Sequence, residues 1–216
     1  MAVIFPPWTN RVPPLLALFS LGAVVSGVAL VWYYFSPQYT DVGFEPTQPM
    51  PFSHKAHAGE LGMDCRFCHN TVEQGAHAAI PSTETCMTCH ASLSLPQSVP
   101  LAAVRMSWEM DKPITWVRVH QLPDYVFFDH RVHFAAGVGC VSCHGRVDEM
   151  AVVSQAEPLS MAWCLACHRD ATPNLRPFSK ITDLTYDPQN AGYDPNQDPK
   201  RKRKVEPPLH CSGCHR

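Results

Sequence analysis

Ten cysteines and twelve histidines carry the chemistry of this sequence. The cysteines fall at Cys65/Cys68, Cys86/Cys89, Cys140/Cys143, Cys164/Cys167 and Cys211/Cys214, so every one belongs to a C-x-x-C pair. Each pair is followed at once by a histidine: His69, His90, His144, His168 and His215. A disulfide framework is one use of paired cysteines in a secreted chain. Zinc sites take C-x-x-C pairs two at a time, which leaves one of five pairs over. Neither use explains why a histidine follows all five. C-x-x-C-H is the attachment signature of c-type haem. The two thiols form thioethers with the haem vinyl groups, and the adjacent histidine becomes the proximal iron ligand. The sequence therefore predicts five covalently attached c-type haems that use all ten cysteines.

Seven histidines remain after the proximal set: His54, His57, His77, His120, His130, His133 and His210. Four of them lie in a repeat. Module one, residues 52–90, runs F52-S-H54-K-A-H57 and then two attachment sites; module two, residues 128–168, runs F128-D-H130-R-V-H133 and then two more. His57 precedes Cys65 by eight residues and His133 precedes Cys140 by seven. The fifth site, residues 211–215, stands alone. Such repetition argues for one scaffold used twice. An i, i+3 spacing puts both imidazoles on one side of a helical turn, yet adjacent rings cannot comfortably ligate one face of one iron together. The natural reading is two different haems, the one attached just downstream and a neighbour brought close by the fold. His54, His57, His130 and His133 are thus expected as distal ligands.

Four distal histidines leave one of five haems short. Its ligand stays open among His120, His77, His210, Met150 and Met161. His120 ends the apolar run W116-V-R-V-H120, where a lone histidine is more often structural. His210 abuts Cys211 and can reach only a different haem. A methionine would raise that haem's potential relative to two histidines, although a methionine near haem more commonly packs.

The elements that must hold these groups are short. Proline is abundant at 21 residues and charged residues are scarce at 17%, which reads as a loop-rich chain. Little hydrophobic periodicity survives beyond residue 41, and haem faces would supply the apolar area that small proteins otherwise take from side chains. The run 116–120 alternates well enough for a short strand. The proline-, asparagine- and aspartate-rich stretch 174–210 reads as irregular, and a long loop of this kind is usually functional or laid on a partner. The expected fold is a single N-terminal transmembrane helix followed by a loop-rich, mostly short-helical multihaem cytochrome c domain with little regular sheet.

The N-terminal helix is expected over residues 12–35, which hold no charged residue. As a helix they span about 36 Å and cover the ~30 Å hydrocarbon core. Arg11 precedes the run and the first acidic residue beyond it is Asp41, so the positive-inside rule puts residues 1–11 in the cytoplasm. Trp8 and the cluster Trp32–Tyr33–Tyr34–Phe35 fit the two aromatic belts. The run ends in bulky aromatics, not in the small residues of a signal-peptide cleavage site, so an uncleaved anchor is expected. Gly22, Ser26 and Gly27 are small enough for a partner helix to approach closely, and lipid exposure explains them as well. Covalent c-type haem is assembled on the outer side of the bacterial cytoplasmic membrane, which places residues 36–216 on the periplasmic side.

The formal net charge of −2 gives no global basic field for nucleic acid. A haem closed by two protein ligands offers no open site for a substrate, and none of the five motifs replaces its histidine by lysine. Electron transfer is thus favoured over catalysis, the protein setting potentials through ligands, hydrogen bonds and burial. A reductase acting on a soluble substrate fits least. The basic run Lys200–Lys204 reads as a solvated face, or as neutralising haem propionates or docking an acidic partner.

The arrangement F-x-H-x-x-H followed by C-x-x-C-H resembles the multihaem cytochrome c3/c7 family. There the first histidine ligates the haem attached just downstream and the second ligates another. The resemblance implies that His54 pairs with His69 and His130 with His144, while His57 and His133 serve other haems. The anchor, the five sites, and the segments TVEQGAHAAIPSTETCMTCH, VHQLPDYVFFDHRVHFAAGVGCVSCHGRVDEM and LSMAWCLACHR together resemble the pentahaem cytochrome subunits of bacterial alternative complex III, from about residue 11 to residue 216. That resemblance implies an electron-wire subunit of a quinol-oxidising respiratory or photosynthetic membrane complex. Its implied partners are a large iron–sulfur subunit, polytopic membrane subunits, a monohaem cytochrome and a periplasmic electron acceptor. The alternative is a membrane-anchored multihaem quinol dehydrogenase that oxidises quinol itself, at a haem with an open or weak distal position.

Overall fold

The computed structural model describes residues 5–91, 99–201 and 203–216. The chain divides into two units, Met1–Asp41 and Val42–Arg216. In the first, a 3₁₀ turn at Pro7–Arg11 leads into helix α1, Val12–Tyr34. Pro13 and Pro14 lie in its first turn, where a missing N–H costs no intrahelical hydrogen bond. Its 23 residues rise about 35 Å, enough to cross a bilayer core of ~30 Å. None of its side chains is buried in the protein. Tyr33 and Tyr34 at its end meet Tyr39 of the short helix α2, Pro37–Thr40, with ring centres 4.7 to 5.6 Å apart.

The second unit is built from short helices, four of which carry cysteines. The helices are α3 (Cys65–Cys68), α4 (Thr83–His90), α5 (Val99–Glu109), α6 (His130–Ala136), α7 (Val141–His144) and α8 (Met161–Arg169). A 3₁₀ turn at Cys211–Gly213 carries the last pair. Among the described residues there is no sheet, only the isolated antiparallel bridges Val126–His215 and Val138–Leu175. Residues 116–119, expected as a strand, run without a partner strand. Instead the Gln48 side chain accepts from the Val117 N–H and donates to the Val117 carbonyl, both at 2.9 Å. A single amide side chain does here what a neighbouring strand would do.

The repeat is visible in the backbone, with one instructive difference. In module two the F-x-H-x-x-H segment enters the α-helix α6, capped by the Asp129 carboxylate on the Arg131 N–H at 2.9 Å. In module one the same segment enters a π-helical turn, Lys55–Glu60, in which the Leu61 N–H reaches the Ala56 carbonyl at 3.1 Å. A π turn absorbs one extra residue, and module one has one more residue between its second histidine and its first cysteine. Both segments end on a left-handed glycine three residues before that cysteine, Gly62 with φ 66° and Gly137 with φ 81°, a conformation open to glycine without a Cβ clash. Gly59 lies against the backbone carbonyl of Asp148, so the π turn packs directly on the 3₁₀ turn Val147–Glu149.

Six described apolar residues are buried: Met50, Val104, Ala171, Leu175, Ile181 and Leu184. Four of the six come from residues 171–184. Residues 174–184, the start of the stretch 174–210 expected to be functional or laid on a partner, pack on their own chain. The Gly139 N–H donates to the Asn174 carbonyl, the Arg176 N–H to Gly137, and the Cys140 N–H to Ile181. Arg176 is only 4% exposed and donates to the Asp183 carbonyl at 2.7 Å. Beyond it, Asp183, Asp187, Asp194 and Asp198 each accept a backbone N–H two residues on, a run of Asx turns that shapes an irregular segment. Within the basic run, Arg201 donates to the carbonyls of Ala136 and Arg176 and lies over the Phe178 ring. Lys200, Arg203 and Lys204 are exposed, and Lys202 lies outside the described residues.

Two outcomes are expected. Ile181→Ala opens a cavity in this clamp and lowers unfolding stability by about 2–5 kcal/mol, read by denaturant unfolding of the haem-loaded protein; Leu209→Ala, at an exposed position, changes it by less than about 0.5 kcal/mol. Asp64 caps α3, and its hydrogen bond from the Arg66 side chain holds its carboxyl down at about 2. Its stabilisation is present above about pH 4, the ordinary aspartate range, and is lost as pH falls toward 2. The stability gap between the native protein and Asp64→Asn should therefore close across that window.

Candidate haem-attachment sites

In each motif the two cysteines sit one helical turn apart, as thiols and not as disulfides. The turn closes on itself where the histidine N–H donates back to the first cysteine carbonyl, at 2.8 Å in His69, 3.0 Å in His144 and 2.9 Å in His215. Thiols and imidazole are thus delivered by one short piece of backbone.

Four pairs of imidazoles face each other at nearly one separation. Ring centres are 6.4 Å apart for His54 and His69, and 6.2 Å for His57 and His90. They are 6.3 Å apart for His130 and His144, and 6.2 Å for His133 and His168. A metal ion held about 2.0–2.1 Å from one nitrogen of each ring, with each ring centre about 1.1 Å further out, spaces the centres by roughly 6.3 Å. Direct ring packing in the same protein is closer, as Phe52 on His57 at 4.5 Å shows. The residues present therefore fit an iron held axially between two imidazoles. Among the described residues no three His, Cys, Asp or Glu side chains converge on a bare metal site, so the zinc reading finds no site. A porphyrin would supply the remaining donors to an iron held by such a pair.

The second nitrogen of most of these rings is tied down. Nδ1 of His69 faces the Ala79 carbonyl at 2.7 Å, His57 faces Ser53, His130 faces Ala76, His133 faces Asp129 and His168 faces Pro208, each at 2.8 Å. His215 faces Tyr125 at 3.3 Å. A carbonyl accepts only, so Nδ1 keeps the proton and Nε2 is left as the metal donor. His54 and His90 have a buried Nδ1 with no hydrogen-bond partner. Burial, then the neighbouring His69 and His57, push His54 down to about 4. Burial, then His120 and His130, push His144 down to about 3. Neutral rings are the form that binds metal.

Phe52 and Phe128 repeat one another. Phe52 stacks on His57 at 4.5 Å and meets His54 edge-on at 4.9 Å; Phe128 does the same to His133 at 4.5 Å and His130 at 4.8 Å. The motif announces the phenylalanine, but its place between the two imidazoles is seen only in the fold.

Of the candidates for the fifth distal position, His120 stands against His144, its Nε2 3.4 Å from Nδ1 of that ring. His77 is exposed. Nε2 of His210 points back to its own motif at Gly213. Met150 lies beside Gly145, and Met161 is 65% exposed at the start of α8. Among the described residues no second imidazole stands at the paired separation from His215. The ring beside it is Tyr125, at 5.8 Å.

The thiols also give the order of the sites. The Cys65 and Cys140 thiols share a hydrogen bond, which with burial pushes Cys140 far up. Burial, then Cys86, push Cys68 up. Burial, then Cys167 and Cys164, push Cys143 up to about 12, and burial with Cys214 raises Cys164. In space the sites therefore run second, first, third, fourth, fifth. The histidines agree, since His69 and His54 both act on His144.

The ten thiols, expected alike as haem attachment points, are not alike in their surroundings. Eight are partly buried, whereas Cys89 and Cys211 are exposed. Cys89 lies in the last turn of α4, where its sulfur accepts the Thr88 hydroxyl at 3.9 Å. Cys86 and Cys214, in the same two motifs, are partly buried.

Residues 126–216 match the family model of cytochrome c7 and related cytochrome c. Over 130 residues the chain is 35% identical to the menaquinone reductase multihaem cytochrome c subunit of Nitratidesulfovibrio vulgaris. The match covers 59% of this chain and spans 58% of that relative's length. The paired imidazoles, the C-x-x-C-H turns and the match over residues 126–216 point the same way: beyond the N-terminal helix lies a helical, loop-rich region that is similar, over residues 126–216, to the multihaem cytochromes of the cytochrome c7 kind.

Proposed function

We propose that this chain is the electron-transfer subunit of a quinol-oxidising membrane complex of the alternative complex III kind, passing electrons through five c-type haems to a periplasmic acceptor. Four facing imidazole pairs at 6.2–6.4 Å carry the reading, because they close four irons to substrate and leave them only electron exchange. Haem bound there supplies one-electron chemistry, with two histidines giving a lower potential than histidine and methionine. The chain's own residues bind and orient. In this proposal all ten cysteines, the exposed Cys89 and Cys211 included, are attachment points. His69, His90, His144, His168 and His215 are the proximal ligands. His54 closes the site of His69, His57 that of His90, His130 that of His144 and His133 that of His168. Carbonyls of Ser53, Ala76, Ala79, Asp129 and Pro208 hold the tautomers.

The N-terminal helix is the anchor, with residues 1–11 in the cytoplasm and the haem domain on the periplasmic side of the bacterial cytoplasmic membrane. The iron–sulfur and polytopic subunits and the monohaem cytochrome are the partners of this reading. A relative named as a menaquinone reductase subunit supports a quinone-linked complex, and favours a second reading in which electrons run the other way, from a periplasmic donor to menaquinone. Menaquinol added to membranes containing the chain decides between them. Haem reduction that requires the quinol supports oxidation; haem reduction only by a soluble donor supports the reverse.

Low-temperature EPR with redox titration of the purified protein tests the ligand sets. Four low-spin ferric components from paired imidazoles are expected, and a fifth distinct from them. High-spin signal from more than one haem would sink the relay. Charge reversal at Arg203 and Lys204, which stand free of the Arg201 clamp, tests docking: reduction of a soluble acceptor at low salt should slow, and the loss should vanish at high salt as the Debye length shrinks from about 10 Å at 0.1 M toward 3 Å at 1 M.

A further inference from the structure

We infer that His120 is a positioning residue for the central attachment site, its imidazole accepting the Nδ1 hydrogen of His144 and so fixing the plane and donor strength of that ring. The inference rests on the reading of His144 and His130 as the ligands of one iron. Nε2 of His120 is 3.4 Å from Nδ1 of His144, with ring centres 4.4 Å apart and planes at 78°. Six other histidines of the sites give Nδ1 to a backbone carbonyl. Among the described residues His144 alone gives it to another imidazole. The equivalent ring of module one, His69, uses the Ala79 carbonyl at 2.7 Å, so this is where the two copies of the scaffold part.

His120 is brought there by a segment that has no helix or sheet of its own. Gln48 grips it at Val117 with two hydrogen bonds, and Trp116 meets Phe52 at 6.3 Å. Phe52 of module one, which packs on His54 and His57, thus also meets the segment that carries the partner of His144. The rings of this pair, His130 and His144, stand at 9°. An acceptor at Nδ1 makes the ligating imidazole more electron-rich and favours ferric iron. Since the third site lies in the middle of the spatial order, this one side chain sets the potential step at the centre of the series.

The test is a potentiometric titration with EPR on the haem-loaded full chain, comparing His120→Phe and His120→Gln with the native protein. His120→Phe keeps a ring and removes the acceptor; one low-spin component should move upward by about tenfold in its ferrous-to-ferric ratio, equal to 59 mV for one electron, with a changed EPR line shape. His120→Gln should restore both. No movement, movement of all components together, or no recovery with Gln overturns the inference. A new high-spin signal in His120→Phe would instead make His120 an iron ligand and also overturn it. If His120→Phe does not accumulate, Gln48→Ala decides: a shift confined to one component supports the role and no shift refutes it. Absence of paired-imidazole signals in the native protein would sink the ligand reading itself, a result separate from either.

Discussion

An imidazole that is to hold iron through one nitrogen is oriented by whatever its other nitrogen meets. Much of this domain follows from that constraint. For five of the eight facing histidines, His57, His69, His130, His133 and His168, Nδ1 meets a backbone carbonyl. Irregular backbone is therefore useful here, because carbonyls in a helix or sheet interior are already taken. The loop 75–79 shows this well. It has no regular structure, yet its Ala76 and Ala79 carbonyls hold His130 and His69, one from each module. The loop joins two sites by making one acceptor for each.

The same constraint ties the modules into one body. A scaffold used twice need not touch itself, but here the copies interlock. His130 of module two takes its acceptor from module one. The Lys55 N–H of module one donates to Met150 at the edge of module two. The sulfurs of Cys65 and Cys140 meet. Each contact brings attachment sites together, as a series of electron-carrying centres needs. The C-terminal stretch completes the arrangement from outside. Its buried residues clamp the approach to Cys140, and its last turn lays the fifth site along residues 125–127, where the Phe127 N–H donates to the Cys214 carbonyl at 2.7 Å and Arg216 stacks over Phe127.

The fold corrects one expectation and adds to another, for physical reasons. Alternation at 116–120 was enough to predict a strand, but a strand needs a partner, and Gln48 satisfies the one peptide that most needs it. The stretch 174–210 is loop-like as its composition implies, yet it supplies core. The irregular segment buries Leu175 and Ile181 with backbone partners at hand, the Leu175 N–H donating to the Thr172 carbonyl and the Ile181 carbonyl accepting from the Cys140 N–H. The sulfurs add a smaller lesson. Ten identical motif positions read alike in the sequence, but Cys89 and Cys211 are more exposed than the other eight.

Local chemistry was legible in the sequence because it is local. C-x-x-C-H names a turn in which two sulfurs and an imidazole share one helical pitch, and no distant residue is needed to see it. The repeat around Phe52 and Phe128 was legible for the same reason, as was the apolar run of α1. What the sequence alone could not supply is what depends on residues far apart in the chain. His144 meeting His120 across 24 positions, His130 meeting Ala76 across 54, and His168 meeting Pro208 across 40 are products of tertiary packing. So is the order of the sites, with the second outermost and the third in the middle. Motif spacing tells which atoms can bind a haem; only the folding of the loops between motifs decides which haem stands next to which.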